Sequence, residues 1–147
     1  NKKIISYIIT CFVILNLIII SNWNYNNYPF GNLYFNKFLS ENKRNEYELD
    51  YWGLSNYNAL KYLLKNDSSK KIEVGTLSFA SIDIPMLILN DADWKKIKPL
   101  PAAKKPKYLI DNKNKQFRFD TNILSDYKVY KEFKIDNLAI NTIYVKK

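Results

Sequence analysis

The sequence predicts an α/β protein: one N-terminal transmembrane helix, then a small extracytoplasmic α/β domain with a mixed sheet and a C-terminal hairpin. Three observations predict it. An uncharged apolar run fills residues 4–20; segments of helical spacing then alternate with β-prone ones; and two alternating runs close the chain across Asp136-Asn137. The chain divides accordingly into a transmembrane helix at 1–23, a membrane-surface loop at 24–46 and an α/β domain at 47–147.

The run from Ile4 to Ile20 reads IISYIITCFVILNLIII, with Ser6, Tyr7, Thr10 and Asn16 as its polar members. As a helix rising about 1.5 Å per residue it spans roughly 25 Å, a little short of a ~30 Å hydrocarbon core. Ser21 and Asn22 extend it, and Trp23, Tyr25 and Tyr28 supply an aromatic belt at one interface. Lys2 and Lys3 on the other side orient the span with its amino end cytoplasmic and its carboxyl end outside. A signal peptide needs a small-residue cleavage site, which Ser21-Asn22-Trp23-Asn24-Tyr25 does not offer. A buried core helix is the other alternative, and all-round β-branched hydrophobicity of this length suits a small soluble domain poorly. Cys11 inside the run reads as a small apolar residue.

The segment from Asn24 to Phe38, punctuated by Pro29 and Gly31, reads as an ordered loop at the membrane surface, and Glu41–Glu48 as a solvated charged stretch. Ser55 is then the expected N-cap of a helix carrying Tyr57, Leu60, Leu63 and Leu64, with Asn66 as its stop. Asp67-Ser68-Ser69 makes a turn; Lys71–Phe79 is β-prone, with Gly75 marking a bulge or a close approach. Asp83 is expected to cap a second helix ending near Asn90, with Pro85 in its first turn and Met86, Leu87 and Leu89 as its apolar residues. Trp94 and Pro99–Pro106 read as a loop, Lys107–Asp111 as a strand, and Tyr127–Ile135 with Leu138–Val145 as the closing hairpin.

Composition narrows the chemistry. A chain of 147 residues with net charge +9, 47% hydrophobic and 16% aromatic content is one ordered domain beside its span, not a disordered tail. With no histidine and one cysteine it excludes Ser-His-Asp and Cys-His nucleophiles, an intramolecular disulfide and a Cys/His zinc site. Three glycines, Gly31, Gly53 and Gly75, make no phosphate-binding loop, so no metal or cofactor is expected. The carboxylate pairs Glu48/Asp50 and Asp91/Asp93 suit surfaces and caps better than acid–base work. The run Lys95-Lys96, Lys98, Lys104-Lys105 and Lys107 reads first as a solvated loop, then as an attraction to anionic headgroups, and last as a nucleic-acid site. The excess of asparagine reads as a compositional bias of the source.

The most informative stretch is Tyr47–Leu63, YELDYWGLSNYNALKYL. Physically, Asp50-Tyr51-Trp52-Gly53 is a tight aromatic lead into the next helix: Trp52 anchors apolar area, Gly53 permits the turn and Asp50 accepts backbone N–H groups.

This stretch also carries a resemblance. Tyr28-Pro29, Tyr34-Phe35-Asn36, the D-Y-W-G-x-S pattern of Asp50, Tyr51, Trp52, Gly53 and Ser55, and the tail Ile143-Tyr144-Val145-Lys146 resemble the C-terminal region of polyprenol-phosphate-dependent multipass membrane glycosyltransferases, the superfamily of dolichyl-phosphate-mannose–protein mannosyltransferases. Pro106-Lys107-Tyr108-Leu109-Ile110 is similar to a family strand that carries an acidic residue where this chain has lysine. The double glycine that follows Tyr-Phe-Asn in the family is replaced by Lys37-Phe38-Leu39-Ser40, and the tail departs from the family's order of Val and Tyr.

The resemblance implies catalytic acidic residues in an extracytoplasmic loop near the amino end of the whole protein, with no counterpart here. The chain is then expected to be the last membrane helix and the non-catalytic, outward terminal domain of a transferase that takes sugar from a polyprenyl-phosphate donor. The motif would be structural or shape the acceptor site. Its partners would be the lipid bilayer and the remaining transmembrane helices of the parent, with no nucleic acid. Asn1 in place of an initiator methionine fits a processed product or the tail of a longer protein. The alternatives are a stand-alone single-pass anchored protein with an outward interaction or structural domain, and a binding module released after signal cleavage.

Overall fold

The computed structural model describes residues 2–35, 38–114 and 121–147, so Asn36 and Lys37 of the sequence comparison above lie outside the described residues. The chain forms two compact units, residues 1–40 and 41–147.

The first unit is built on α1, Lys2–Asn26. Its best 18-residue window has a mean hydropathy of 2.6, and the helix is long and apolar enough to cross a membrane. None of its residues is buried. Two of its asparagines bond within the helix: Asn16 and Asn26 each donate Nδ2–H to the carbonyl four residues back, at 2.8 and 2.9 Å. An amide that bonds within its own helix is cheaper to place beside hydrocarbon than one seeking water. The helix runs three residues past the expected end at Trp23, so that Tyr25 stands on it rather than in a loop.

The second unit is an α/β domain. A short helix, α2 (Glu41–Arg44), precedes α3 (Leu54–Asn66), and β1 (Ile72–Thr76) follows. Two further helices, α4 (Asp83–Met86) and α5 (Asp91–Lys96), lead to β2 (Ile97–Pro99). Strand β3 (Tyr108–Asp111) and the hairpin β4 (Tyr127–Ile135) and β5 (Leu138–Lys146) complete one mixed sheet in the order β2-β1-β3-β5-β4. Strand β1 is parallel to both β2 and β3, whereas β5 is antiparallel to β3 and β4.

Side chains alternate across the sheet, and each face has its own cover. Tyr108, Ile110 and Ile143 on one face pack with Leu60, Leu63 and Met86 of α3 and α4. Leu109 on the opposite face packs with Leu77 and Tyr127, against Ala102, Ile123 and Leu124 of two 3₁₀ turns. Because β3 is covered on both faces, all four of its residues are buried.

The differences from the sequence reading have local causes. The expected strand over Lys71–Phe79 stops at Thr76, where Leu77 turns to donate its N–H to the Ile110 carbonyl at 2.9 Å. Gly75 is a close approach: a Cβ there would lie 2.8 Å from the Leu100 carbonyl oxygen. The helix expected to reach Asn90 ends at Met86, and Asp83 lies within it; the hydroxyl of Ser81 accepts the Asp83 N–H at 3.1 Å. Leu87 points outward at 78% exposure, while Met86 enters the core. The loop expected around Trp94 holds α5 and the edge strand β2, too short to show a period. At the hairpin, Asp136 and Asn137 both take positive φ, 46° and 68°, the geometry that a two-residue turn requires.

Replacing fully buried Leu60 by alanine should cost about 2–5 kcal/mol, whereas Leu87→Ala should stay within about 0.5 kcal/mol. Guanidinium unfolding of the full chain in detergent micelles, followed by tryptophan fluorescence, checks both.

Candidate functional site

The motif at 50–55 forms a capped turn on the sheet. Asp50 is buried, and its carboxylate accepts the backbone N–H of Leu54 at 2.8 Å through Oδ1 and that of Ser55 at 3.0 Å through Oδ2. The Ser55 hydroxyl donates to the same Oδ2. Gly53 holds the N-cap position of α3 and Asp50, four residues ahead of the helix, supplies the capping carboxylate, while the expected cap Ser55 is a buried residue of the first helical turn. An acidic group there is favoured both by the orphan N–H groups and by the helix dipole.

Gly53 makes this geometry available. Its φ is +69°, and its N–H closes the turn onto the Asp50 carbonyl at 3.2 Å. A Cβ at Gly53 would come within 2.8 Å of the Ala80 Cβ, so conformation and space both call for glycine.

Trp52 reverses the expectation. It does not anchor apolar area inside the domain: it is 77% exposed and packs edge-on against Tyr51, with ring centroids 4.8 Å apart. The turn that buries Asp50 throws residue 52 outward.

A set of buried amides and hydroxyls fixes the turn to the sheet. Asn141 of β5 donates Nδ2–H to Ser55 Oγ at 2.7 Å and to Asn56 Oδ1 at 2.9 Å. Asn56 donates to the Ala80 carbonyl at 3.0 Å. Past the end of β3, Asn112 donates to the Asp50 carbonyl at 2.7 Å and accepts from the Ser78 hydroxyl, while Asn114 donates to the Tyr51 carbonyl at 3.3 Å. Sequence reasoning missed Asn56, Asn112, Asn114, Asn141 and Ser78, because the asparagine excess read as a bias. One signal was present: Asn141 shares a strand face with Ile143 and Val145, where a polar residue must find a buried partner.

The electrostatics fit a holding role. Burial raises the Asp50 carboxyl above its usual range and outweighs the hydrogen bonds from Ser55 and Leu54 that favour the anion, with Glu48 raising it further. Asn90 caps α5, its Oδ1 accepting the Asp93 N–H at 2.9 Å, and the Asp93 carboxylate in the first turn accepts from Asn90 Nδ2 at 3.1 Å.

The lysines of the run are exposed, as expected, but lie on α5, on β2 and around a 3₁₀ turn and not in one loop. Lys98, Lys105 and Lys107 reach Glu73, Asp126 and Asp67 at 2.9, 2.5 and 2.8 Å. Burial raises the Asp67 carboxyl, but the bonds from Lys107 and Ser69 overcome this and hold it far below the usual carboxylate range.

In the first unit Trp23 meets Tyr34 edge-on at 5.3 Å, while Tyr25 and Tyr28 are exposed. The eight residues singled out thus fall into two groups, three at the end of the apolar helix and five in the capped turn. The geometry defines an α/β domain whose conspicuous loop is a buried polar clamp. Comparison with protein-family models, curated proteins and solved structures finds no match.

Asp50→Asn should cost about 1–3 kcal/mol at neutral pH, since an amide cannot accept both backbone N–H groups. The raised folded-state carboxyl adds stability that is complete below the unfolded value near 3.8 and is lost as pH rises through the folded value. The advantage of wild type over Asp50→Asn should therefore widen on acidification. Unfolding of both proteins across the acid range checks the sign, and a gap that narrows would contradict it.

Proposed function

We propose that this chain is the last membrane helix and the outward-facing, non-catalytic terminal domain of an integral-membrane glycosyltransferase that takes sugar from a polyprenyl-phosphate donor. The observation that carries the reading is the D-Y-W-G-x-S stretch of residues 50–55, set behind a helix of membrane-spanning length. In this reading Asp50, Gly53 and Ser55 shape the domain and Trp52 stays on its surface, so the motif serves as architecture rather than as reacting groups. Lys2 and Lys3 favour a cytoplasmic amino end, which puts the domain on the face of the membrane where lipid-linked donors of this kind are consumed.

Two measurements test it. The reading frame upstream of Asn1 should continue through several apolar segments and an early loop with paired acidic residues. Its complete product, in membrane vesicles, should consume added polyprenyl-phosphate sugars by mass spectrometry, whereas residues 1–147 alone should leave them intact. Gly53→Val in the complete protein should lower that turnover about tenfold through loss of folded domain. A start codon directly before Asn1 would replace the proposal with a single-pass anchored protein. In intact cells, a cysteine introduced at Tyr47 should react with an impermeant maleimide and one at Lys3 should not.

A further inference from the structure

The sheet carries a second feature that the motif does not use. The link from β1 to β2 sends α4 onto one face of the sheet, where Ile82 and Met86 join the core with Leu60. The link from β2 to β3 goes to the other face, where Ala102 packs against the cluster of Leu77 and Leu109. Neighbouring parallel strands whose connections leave in opposite directions open a crevice at their carboxyl ends, the place where open α/β sheets bind ligands.

A cleft of about 680 Å³ lies there, lined by the segments that follow β1 and β2 and by Ile123. That volume lies within the range of small-molecule sites. Its walls are mostly apolar, with Phe79, Ile82, Leu100 and Ile123 prominent; Thr76, Ser78, Ser81 and the carboxylate of Asp83 also line it, and no lysine or arginine does among the described residues. The hydroxyls of Ser78 and Ser81 are engaged with Asn112 and Asp83. Such a wall disfavours phosphates and nucleotides and favours hydrocarbon.

Exposed apolar residues follow in the chain. Phe79 of the cleft is 55% exposed, and α4, which begins at the cleft-lining Asp83, and the turn after it present Ile84, Leu87 and Ile88 to solvent. A soluble surface rarely clusters such residues without something to cover them. The same chain carries a helix fit to span a bilayer, and a tether to the membrane raises the local concentration of lipid around the domain.

We infer that this cleft is a binding site for the hydrocarbon chain of a membrane lipid, with Phe79 and the outward side of α4 as its approach. The inference rests on the reading of α1 as a membrane span but not on the transferase chemistry. The chain bound is either the acyl tail of a bilayer phospholipid or the isoprenoid tail of a polyprenyl phosphate; both offer the same apolar surface to the walls.

Photolabelling separates the possibilities. The full chain is placed in phosphatidylcholine nanodiscs containing either a phospholipid with a diazirine in its acyl tail or a diazirine-bearing polyprenyl phosphate, and labelled peptides are mapped by mass spectrometry. Label on Phe79, Leu100 and Ile123, together with label on α1, is expected, and the lipid that gives it identifies the source. Ala103→Trp, an exposed cleft-lining position, should cut label in the cleft about tenfold and leave label on α1 unchanged. Pro101→Trp, also exposed and lining the cleft, should do the same should the first variant fold poorly. Label on α1 and on Ile84, Leu87 and Ile88, with none on Leu100 or Ile123, would overturn the site and leave only a surface contact. Absence of label on α1 would overturn the membrane reading itself.

Discussion

The domain depends on the Asp50 carboxylate being taken out of water and put to use at the start of α3. Its two oxygens serve two backbone N–H groups and a hydroxyl, all within the first turn of the helix. The arrangement costs desolvation, and it works because a buried anion at a helix N-terminus meets donors that would otherwise be orphaned. Gly53 lets the chain double back tightly enough for a carboxylate four residues upstream to reach them. The direction of α3, and hence of Leu60 and Leu63 into the core, follows from that turn.

The asparagines extend the same constraint across the sheet. Asn141 on β5, and Asn112 and Asn114 beyond β3, are far in sequence from residue 50 yet close the turn from three directions. An amide carries two N–H donors, so the one Nδ2 of Asn141 can reach both Ser55 Oγ and Asn56 Oδ1, which a hydroxyl with its single proton cannot. Buried polar contacts of this kind are directional, and they make one placement of the turn better than its neighbours.

The capped turn and the cleft divide the work between two kinds of surface. Around Asp50 the carboxylate, the Ser55 hydroxyl and the amides of Asn56, Asn112 and Asn114 are aimed at other parts of the protein, and the exposed group of the turn is the ring of Trp52. At the carboxyl ends of β1 and β2 the balance shifts: the backbone pairs within the sheet, and what remains is a mostly apolar hollow with Asp83 among its lining residues. The opposite departures of the two crossovers place it, and the segment that follows the short edge strand β2 lines one side of it from Leu100 to Ala103.

Much of the architecture was legible in the chain itself. The uncharged run of residues 4–20 dictates one long apolar helix, because a helix satisfies its backbone groups within a single segment, with no partner strand and no polar side chains. The spacing of Leu60 and Leu63, and the turn at Asp136-Asn137 between two nine-residue strands, follow from local periods. Edge strand β2 did not, because three residues carry no period and pair only once β1 is beside them. The cap is legible in part: the sequence offers Asp50 as an acceptor of backbone N–H groups, as found, but it also offers Ser55 as the cap, and only the left-handed turn at Gly53 gives Asp50 that role. Trp52 and Leu87 look like core residues by type, and their outward placement is decided by neighbours that fill the core first. Periodicity is a local property that a sequence displays; which group reaches a partner across the sheet depends on the chain path between them, and tertiary structure alone supplies it.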